Sequence, residues 1–206
     1  MRAATGRQQR LDGRRRRSEL SRDAIVDAIL SLLRERELRP GAEAIAARAG
    51  VSLRSVFRHF ADLEGLFAAA VEHQRQRLAP LFELDAPTGS LRKRAEAVAD
   101  QRAHLYEEIA PIRRAAIRQA PFHPAVRKGL DLAAAALRRH IPTVFSAELR
   151  QLSTADRRDL IDALDAASSW AFWEVLRNDQ RLSIHKASQI VATTLTALVE
   201  SARRQS

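Results

Sequence analysis

The sequence contains no cysteine among its 206 residues, which excludes disulfide frameworks, thiolate metal sites and cysteine nucleophiles. It also has no apolar run that approaches the roughly 20 residues needed to span a bilayer. The basic N-terminus is not followed by an apolar stretch, so we expect no secretory signal. These absences predict a cytoplasmic protein without a membrane partner.

Catalytic and metal-binding patterns are missing as well. The sequence has no His-Glu-x-x-His pair, no Gly-rich phosphate loop and no Gly-x-Ser-x-Gly turn. Its six histidines are scattered along the chain without the local spacing of a metal site. We therefore expect a protein that is not an enzyme and that holds no metal and no cofactor.

Alternating runs of Val, Ile, Thr and aromatic residues, which are typical of strands, do not occur. Apolar residues instead recur at helical spacing, and Ala and Leu are abundant. This pattern predicts an all-α protein of about nine helices. We expect separate helices at 91–108 and 111–119, on either side of Pro111, and one continuous helix at 155–178.

Basic residues are concentrated at the N-terminus. The net charge of the chain is +10, and residues 1–17 hold seven arginines and one acid, whereas residues 61–206 contribute only +3. We expect residues 1–17 to form a disordered arm because they are polar and unpatterned. Such an arm indicates a polyanionic partner, although a solvated tail without a partner would have the same composition.

Residues 42–60 carry the pattern of two short helices joined by a tight turn. Gly50 can adopt a positive φ and stop the first helix sharply, and Ser52 can cap the second. Ala46 and Ala49 are small, so the helices can approach closely. The apolar residues that pack these helices together and onto the preceding one are Ile45, Val51, Val56 and Phe60. This is the arrangement of a helix-turn-helix, whose second helix lies in the major groove of DNA.

The same stretch resembles the TetR family of transcription regulators. The resemblance rests on residues 45–52 (Ile-Ala-Ala-Arg-Ala-Gly-Val-Ser), 55–60 (Ser-Val-Phe-Arg-His-Phe) and 63–66 (Leu-Glu-Gly-Leu). It implies a three-helix DNA-binding domain at 18–66 and a helical ligand-binding and dimerisation domain at 67–206. It also implies a homodimer that binds a palindromic operator in double-stranded DNA, most often as a repressor that a small molecule releases.

Within the second short helix, Arg54 and Arg58 are the candidates for base reading, because an arginine can donate two hydrogen bonds to guanine; either could hold a phosphate instead. Leu53 could meet a thymine methyl or be an ordinary surface leucine. The predicted backbone contacts are Ser52, Ser55, Phe57 and His59, of which His59 could instead make a local helix contact. In the neighbouring minor groove we expect Arg14, Arg15, Arg16 and Arg17.

Two residues depart from the family pattern. Phe57 stands where the family usually has Tyr, and Leu63 stands where it usually has Lys, and both usual residues commonly meet phosphates. Their loss would lower affinity for DNA broadly and would not redirect base reading. The arginine arm and Arg54 could offset it.

The helix predicted at 155–178 shows two apolar stripes when it is projected at 100° per residue. Because a surface helix needs only one stripe, we expect the second to pack against a partner subunit together with the last helix; alternatively, its tryptophans lie wholly within the monomer. The predicted dimer residues are Ala163, Ala166, Trp170, Trp173, Val191, Leu195 and Leu198. For the small apolar or aromatic effector that the resemblance implies, the candidate lining residues are His104, Tyr106, Phe122, His123, Trp170 and Trp173.

Two other functions stay open at this level. A helical small-molecule-binding protein or enzyme with an incidental basic arm would bind a ligand or turn over a substrate without affinity for DNA. A non-specific nucleic-acid-binding protein would bind DNA of any sequence, even after changes in the second short helix. Preference for one DNA sequence separates the predicted regulator from both.

Overall fold

The structure, a computed structural model, describes residues 2–35, 40–85 and 87–205. Every regular element in these ranges is helical, which confirms the predicted all-α class. The helices are α1 (Arg2–Arg34), α2 (Ala42–Ala49), α3 (Leu53–His59), α4 (Leu63–Arg77), α5 (Ala79–Phe82), α6 (Leu91–Gln119), α7 (Pro124–Arg138), α8 (His140–Val144), α9 (Ser146–Leu149), α10 (Thr154–Ala167), α11 (Trp170–Glu174) and α12 (Ile184–Gln205). A π-helical segment, Val175–Asp179, follows α11 directly.

The described part of the chain thus holds twelve α-helices, because four of them are single turns of four or five residues. Such turns are too short to show a helical period in the sequence. In the opposite direction, the two helices expected around Pro111 are the single helix α6. A proline inside a helix removes one backbone hydrogen bond, but Ile109 and Ile112 on its two sides are both buried and hold the helix in place.

The N-terminal arm differs from the prediction of disorder at 1–17, because α1 begins at Arg2. The arm is rich in Arg, Gln and Ala, which have high helix propensity. The arm also precedes the part of α1 whose helix is stabilised by the burial of residues such as Ile25 and Ile29. Extending an existing helix costs less than starting one, so polar composition alone was a poor guide here.

The chain divides into two compact units. The first comprises residues 1–76 and 111–130, and the second comprises residues 77–110 and 131–206. The domain boundary predicted after residue 66 therefore falls inside α4, most of which belongs to the first unit.

The first unit has a core formed by the apolar faces of its short helices and of α1. Its most deeply buried members include Ile25, Ile29, Ile45, Val56 and Leu66. Ile45 and Val56 are the residues that the sequence assigns to the packing of α2 and α3. The two short helices therefore have their apolar sides inward, which leaves their polar sides for solvent or a partner.

The second unit contains both tryptophans of the chain in its core. The Tyr106 ring meets the rings of Trp170 and Trp173 with centroids 5.5 and 6.2 Å apart. Trp173 Nε1 donates a hydrogen bond to Glu107 Oε1 at 3.0 Å. Since α10 and α12 also pack on each other, the aromatic cluster is enclosed by helices of this unit.

The helix predicted at 155–178 is interrupted in its middle. α10 ends at Ala167, and the Ser168 hydroxyl donates to the carbonyl of Leu164 at 2.9 Å. Ser169 Oγ accepts from the Phe172 N–H at 3.2 Å and so caps a new helix. The 100° projection does not hold across this break, because each of the two apolar stripes joins residues of α10 to residues that follow the break.

Candidate nucleic-acid interface

The turn between α2 and α3 is set by Gly50. Its φ of 66° and ψ of 31° lie in the left-handed region, which glycine adopts with little strain. The Gly50 N–H donates to the carbonyl of Ala47 at 3.2 Å, and the Val51 N–H donates to that of Ala46 at 3.0 Å. These bonds satisfy carbonyls at the end of α2. The helix therefore ends sharply and the chain turns into α3.

Ser52 caps the N-terminus of α3. Its Oγ accepts from the Ser55 N–H at 3.2 Å, and the two hydroxyl oxygens lie 3.1 Å apart. The cap satisfies one of the amides that a helix leaves without an internal partner. It fixes where α3 starts, and hence which of its residues face outward.

The outer side of α3 carries two arginines one helical turn apart. Arg54 and Arg58 are exposed, whereas Val56 between them is buried. Neither arginine forms an ion pair within the described ranges, and α3 contains no acidic residue. Leu53 and Phe57 are exposed on the same helix, the latter by 47%. The outer side of α3 is thus a cationic surface with apolar residues among the charges.

A third arginine, which the sequence analysis does not single out, lies beside this helix. The Arg22 guanidinium carbon is 5.2 Å from the centroid of the Phe60 ring, a cation–π distance. Burial lowers the pKa of His59, and the charges of Arg58 and Arg22 lower it further. Arg58 Nη2 lies 3.5 Å from His59 Nε2, which as part of a neutral ring can accept a hydrogen bond. In the sequence, Arg22 could have been recognised by its position one turn before Ile25, which begins the apolar pattern of α1.

Arg48 belongs to the helix-turn-helix motif but is held by α1. It donates to both carboxylate oxygens of Glu35 at 2.7 Å and to Ser31 Oγ at 2.8 Å. The hydrogen bond from Arg48 lowers the pKa of Glu35. This guanidinium anchors α2 and is not part of the outer surface of α3.

The predicted minor-groove arginines belong to the segment of α1 before the core. Arg16 is exposed. The side chains of Arg14, Arg15 and Arg17 lie outside the part of the structure that is described, so their role stays a prediction.

Replacing Gly50 by alanine is expected to destabilise the turn by about 1–2 kcal/mol, because the left-handed conformation is strained for a residue with a Cβ. No atom lies within 4 Å of the Cβ position, so crowding adds nothing to this cost. Gly50→Asn should cost less, since asparagine tolerates this conformation better. Amide hydrogen exchange at residues 42–60 should be faster in Gly50→Ala than in Gly50→Asn. Equal protection in the wild type and both variants would show that the turn does not need glycine.

The sequence of this region matches a known domain. Residues 25–70, which run from the buried part of α1 into α4, match the family described as bacterial regulatory proteins, tetR family. The chain therefore contains a TetR-family domain. This domain is the one that the resemblance of residues 45–66 predicts.

Solved structures share the fold of this chain. A protein from Pseudomonas aeruginosa PAO1, described as a transcriptional regulator, is 18% identical, with 89% of this chain and 92% of that chain aligned at a TM-score of 0.70. A transcriptional regulator from Rhodococcus sp. Rha1 is 16% identical, with coverages of 89% and 96% and a TM-score of 0.66. A protein from Mesorhizobium loti MAFF303099, described as a TetR-family transcriptional regulator, is 17% identical, with coverages of 90% and 98% and a TM-score of 0.64. A comparison with curated protein sequences gives no match.

The two departures from the TetR-family pattern have different surroundings. Phe57 is on the exposed side of α3, where its ring offers no hydrogen-bond donor to a phosphate. Leu63 is half-buried at the start of α4 and packs against the first core. Leu63 therefore contributes to folding at a position where the family usually has a cation.

The predicted effector residues are divided between the two units. Tyr106, Trp170 and Trp173 lie together in the second core. His104 is exposed on α6 and lines a groove of about 1200 Å³ between α6 and α12. The second unit therefore holds four of the six residues, at two different places.

The other two, Phe122 and His123, belong to the first unit. Phe122 is 66% exposed. The His123 ring stacks on Phe67 with a centroid distance of 6.0 Å. These contacts assign His123 to local packing beside α4.

Among the described residues no cluster of His, Asp and Glu could hold a metal ion. None of the described helices combines the length and the hydropathy that a membrane span requires.

Most of the predicted dimer residues are buried within the single chain. The buried ones are Trp170, Trp173, Val191 and Leu195. These four belong to the core of their own unit, and for the two tryptophans this is the alternative that the sequence leaves open. The three that stay partly or fully exposed are Ala163, Ala166 and Leu198.

Proposed function

We propose that this TetR-family regulator is a homodimeric repressor that binds a palindromic operator in the bacterial cytoplasm and is released by a small-molecule effector. The observation that carries the proposal is the outer side of α3. There Arg54 and Arg58 are exposed, one turn apart, and unpaired with any carboxylate of the described residues. A short basic helix that projects in this way fits the major groove of B-DNA.

Arg54 and Arg58 would read guanines, because a guanidinium can donate two parallel hydrogen bonds to O6 and N7. Leu53 would pack on a thymine methyl. The contacts to the DNA backbone would come from Ser52, Ser55, Phe57 and His59. The arm would place Arg14, Arg15, Arg16 and Arg17 in the minor groove, whose negative potential attracts arginine.

Two copies are needed because one helix-turn-helix makes few contacts. A twofold dimer would place the two α3 helices about 34–36 Å apart, in successive major grooves. Such an interface uses the same patch on both subunits. The sides of α10 and α12 that face away from the core supply this patch in the proposal, with Ala163, Ala166 and Leu198 as its small and apolar members.

The effector would act on the second unit. A ligand shifts a conformational equilibrium only if it binds one state better than the other. In this regulator the two states would differ in the spacing of the two α3 helices. The aromatic rings of Tyr106, Trp170 and Trp173 favour an effector with an aromatic or apolar body.

Binding to the DNA upstream of the regulator's own gene tests the proposal. Fluorescence anisotropy at several salt concentrations should give an affinity at least about 1000-fold tighter than for scrambled DNA, with a steep salt dependence. A footprint should show two related half-sites about one helical turn apart. Equal affinity for both DNAs would contradict the proposal and favour a non-specific nucleic-acid-binding protein. Ligand binding without DNA binding would favour a small-molecule-binding protein.

A further inference from the structure

The second unit contains a buried arginine without an ionic partner. Arg102 lies on α6 and is 1% exposed. Within the described ranges no carboxylate is at ion-pair distance from it. Burial lowers the pKa of Arg102, and the more distant Tyr106 and Asp165 act in the opposite direction. A guanidinium nevertheless stays protonated at neutral pH, so the core of this unit holds a positive charge that no carboxylate of the described residues contacts directly.

The guanidinium is only partly hydrogen-bonded. Nη1 donates to Gln101 Oε1 and lies 3.4 Å from His140 Nδ1, and Nη2 donates to the carbonyl of Leu137 at 2.8 Å. Nε has no hydrogen-bond partner among the described residues, and Nη2 has a second N–H. Nε and Nη2 lie on one edge of the planar group. This edge is the fork that binds a carboxylate with two parallel hydrogen bonds.

A second buried arginine on the same helix shows how this fold otherwise neutralises such a charge. Arg94, two turns earlier, is paired with the buried carboxylate of Glu148 through both Nη atoms, one of them at 3.0 Å. Arg102 is buried more deeply than Arg94 but has only neutral acceptors. For Arg94 the chain itself provides a buried carboxylate, that of Glu148, whereas no described carboxylate takes this position beside Arg102. The missing partner of Arg102 is therefore best supplied from outside the chain.

The surroundings of Arg102 narrow the chemistry of that partner. Tyr106 follows one turn later on α6 and belongs to the aromatic cluster with Trp170 and Trp173. Gln101 and His140, which face Nη1, are half-buried and connect the guanidinium to the surface.

The other charges near this place limit the charge that the partner can carry. Asp165 is already paired with Arg138 at 3.0 Å. His140 has its pKa lowered by burial first and by Arg102 second, so its ring adds no positive charge at neutral pH. The neighbouring Arg139 is exposed, so Arg102 is the buried cation that the partner has to neutralise, and the position suits a singly charged anion with an apolar body.

We infer that Arg102 binds the carboxylate of an aromatic or apolar carboxylic acid through Nε and Nη2, and that this acid is the effector. The inference rests on the proposed function, since it names the effector class of the proposed regulator. A phosphate ester would bring a second negative charge, whereas Arg138 is already paired with Asp162 and Asp165 and Arg139 is exposed. The acid places its carboxylate on Arg102 and its apolar body beside Tyr106.

Calorimetry with benzoate, phenylacetate and octanoate, each compared with its neutral amide, tests the inference on the full-length protein. At least one acid should bind the wild type, and its amide should bind at least tenfold more weakly because it cannot neutralise Arg102. Arg102→Met should weaken binding of that acid at least tenfold. Arg139→Met is the matched control, since this neighbouring arginine is exposed, and it should keep wild-type affinity.

A second readout follows the protonation of His140 by NMR. Burial lowers the pKa of His140 most, and the charge of Arg102 lowers it next. The charge of Glu83 raises this pKa, and that of Arg139 lowers it slightly. Pairing of Arg102 with a carboxylate should raise the pKa of His140, whereas the amides should leave it unchanged. If Arg102→Met does not fold, Arg102→Lys keeps the charge, lacks the fork, and should still weaken the acid severalfold.

Three outcomes would overturn the inference: no binding of any of the three acids, equal binding of acid and amide, or equal binding to the wild type and the Arg102 variants. The upstream-DNA measurement is separate. Acid binding that depends on Arg102 together with no DNA preference would leave this site standing and remove the proposed regulator. Specific DNA binding without acid binding would do the reverse.

Discussion

The double variant Arg54→Ala/Arg58→Ala is expected to bind operator DNA no better than scrambled DNA. Each arginine can discriminate its base by an amount that corresponds to roughly 10–100-fold in affinity, and both lie on the one exposed helix that the turn at Gly50 presents outward. Each single variant should therefore lose roughly 10–100-fold. Anisotropy titrations at one fixed salt concentration, with the two DNAs side by side, measure the loss.

The single variants also separate base reading from phosphate binding, which the sequence leaves open for these two residues. If Arg54 reads a guanine, Arg54→Ala should relax the preference at one base pair of each half-site. If it holds a phosphate, affinity should fall for every sequence alike, and the salt slope should fall by about 1. Arg127→Ala, an exposed arginine on α7, is the control for a general loss of positive charge. Full retention of operator preference in the double variant would remove α3 as the reading helix.

The reading helix could be predicted from sequence because everything that shapes it is local. The left-handed turn needs glycine at Gly50, the cap needs a hydroxyl at Ser52, and the two bonds that hold the turn join residues within five positions of each other. The buried side of α3 follows from the helical spacing of Val56 and Phe60. Once these are set, the outward direction of Arg54 and Arg58 follows without knowledge of the rest of the chain.

The second unit could not be predicted to the same degree, and the helix break at Ser168 shows why. A serine inside a helical pattern is compatible with a continuous helix, and the break depends on hydrogen bonds of Ser168 and Ser169 that compete with the helical ladder. A projection that assumes continuity places Trp170 and Trp173 on an outer face. The real chain turns them into the core, where Tyr106 of a distant helix meets them.

Buried charge pairs are a further property that local sequence does not reveal. Arg94 and Glu148 are 54 positions apart, and nothing in either segment distinguishes them from the exposed arginines and acids around them. The same holds for Arg102, whose burial and lack of a carboxylate appear only when α6, α7 and α8 are brought together. Site residues of this kind need the fold before they can be recognised.

Glu148→Gln is expected to destabilise the second unit by about 3–5 kcal/mol, because it leaves a buried guanidinium uncompensated. Glu148 is 4% exposed and Arg94 is 9% exposed, and Arg94 also donates to the carbonyl of Val144. Both tryptophans lie in this unit, so urea unfolding followed by tryptophan fluorescence reports on it directly. Glu96→Gln is the matched control on α6, since its pair with Arg92 is exposed and should contribute little.

The pH dependence of this difference tests the cause. Burial raises the pKa of Glu148, but the hydrogen bond from Arg94, the backbone hydrogen bond and the charges of Arg94 and Arg203 outweigh it, so the pKa lies below its ordinary value. A carboxylate with a lowered pKa stabilises the folded state above the pKa of the unfolded chain, about 4.3, and loses this effect as the pH falls through the lower, folded value. The stability gap between wild type and Glu148→Gln should therefore be constant near neutral pH and shrink below about pH 4.3.

A double variant, Arg94→Met/Glu148→Leu, separates a charge effect from a packing effect. It removes both charges together, so it should recover most of the stability that Glu148→Gln loses, as replacement of a buried pair by apolar residues is often neutral or stabilising. A loss in Glu148→Gln no larger than that in Glu96→Gln would mean that Arg94 is solvated or paired elsewhere in solution. That result would also weaken the comparison by which Arg102 is identified as an arginine in need of an anion.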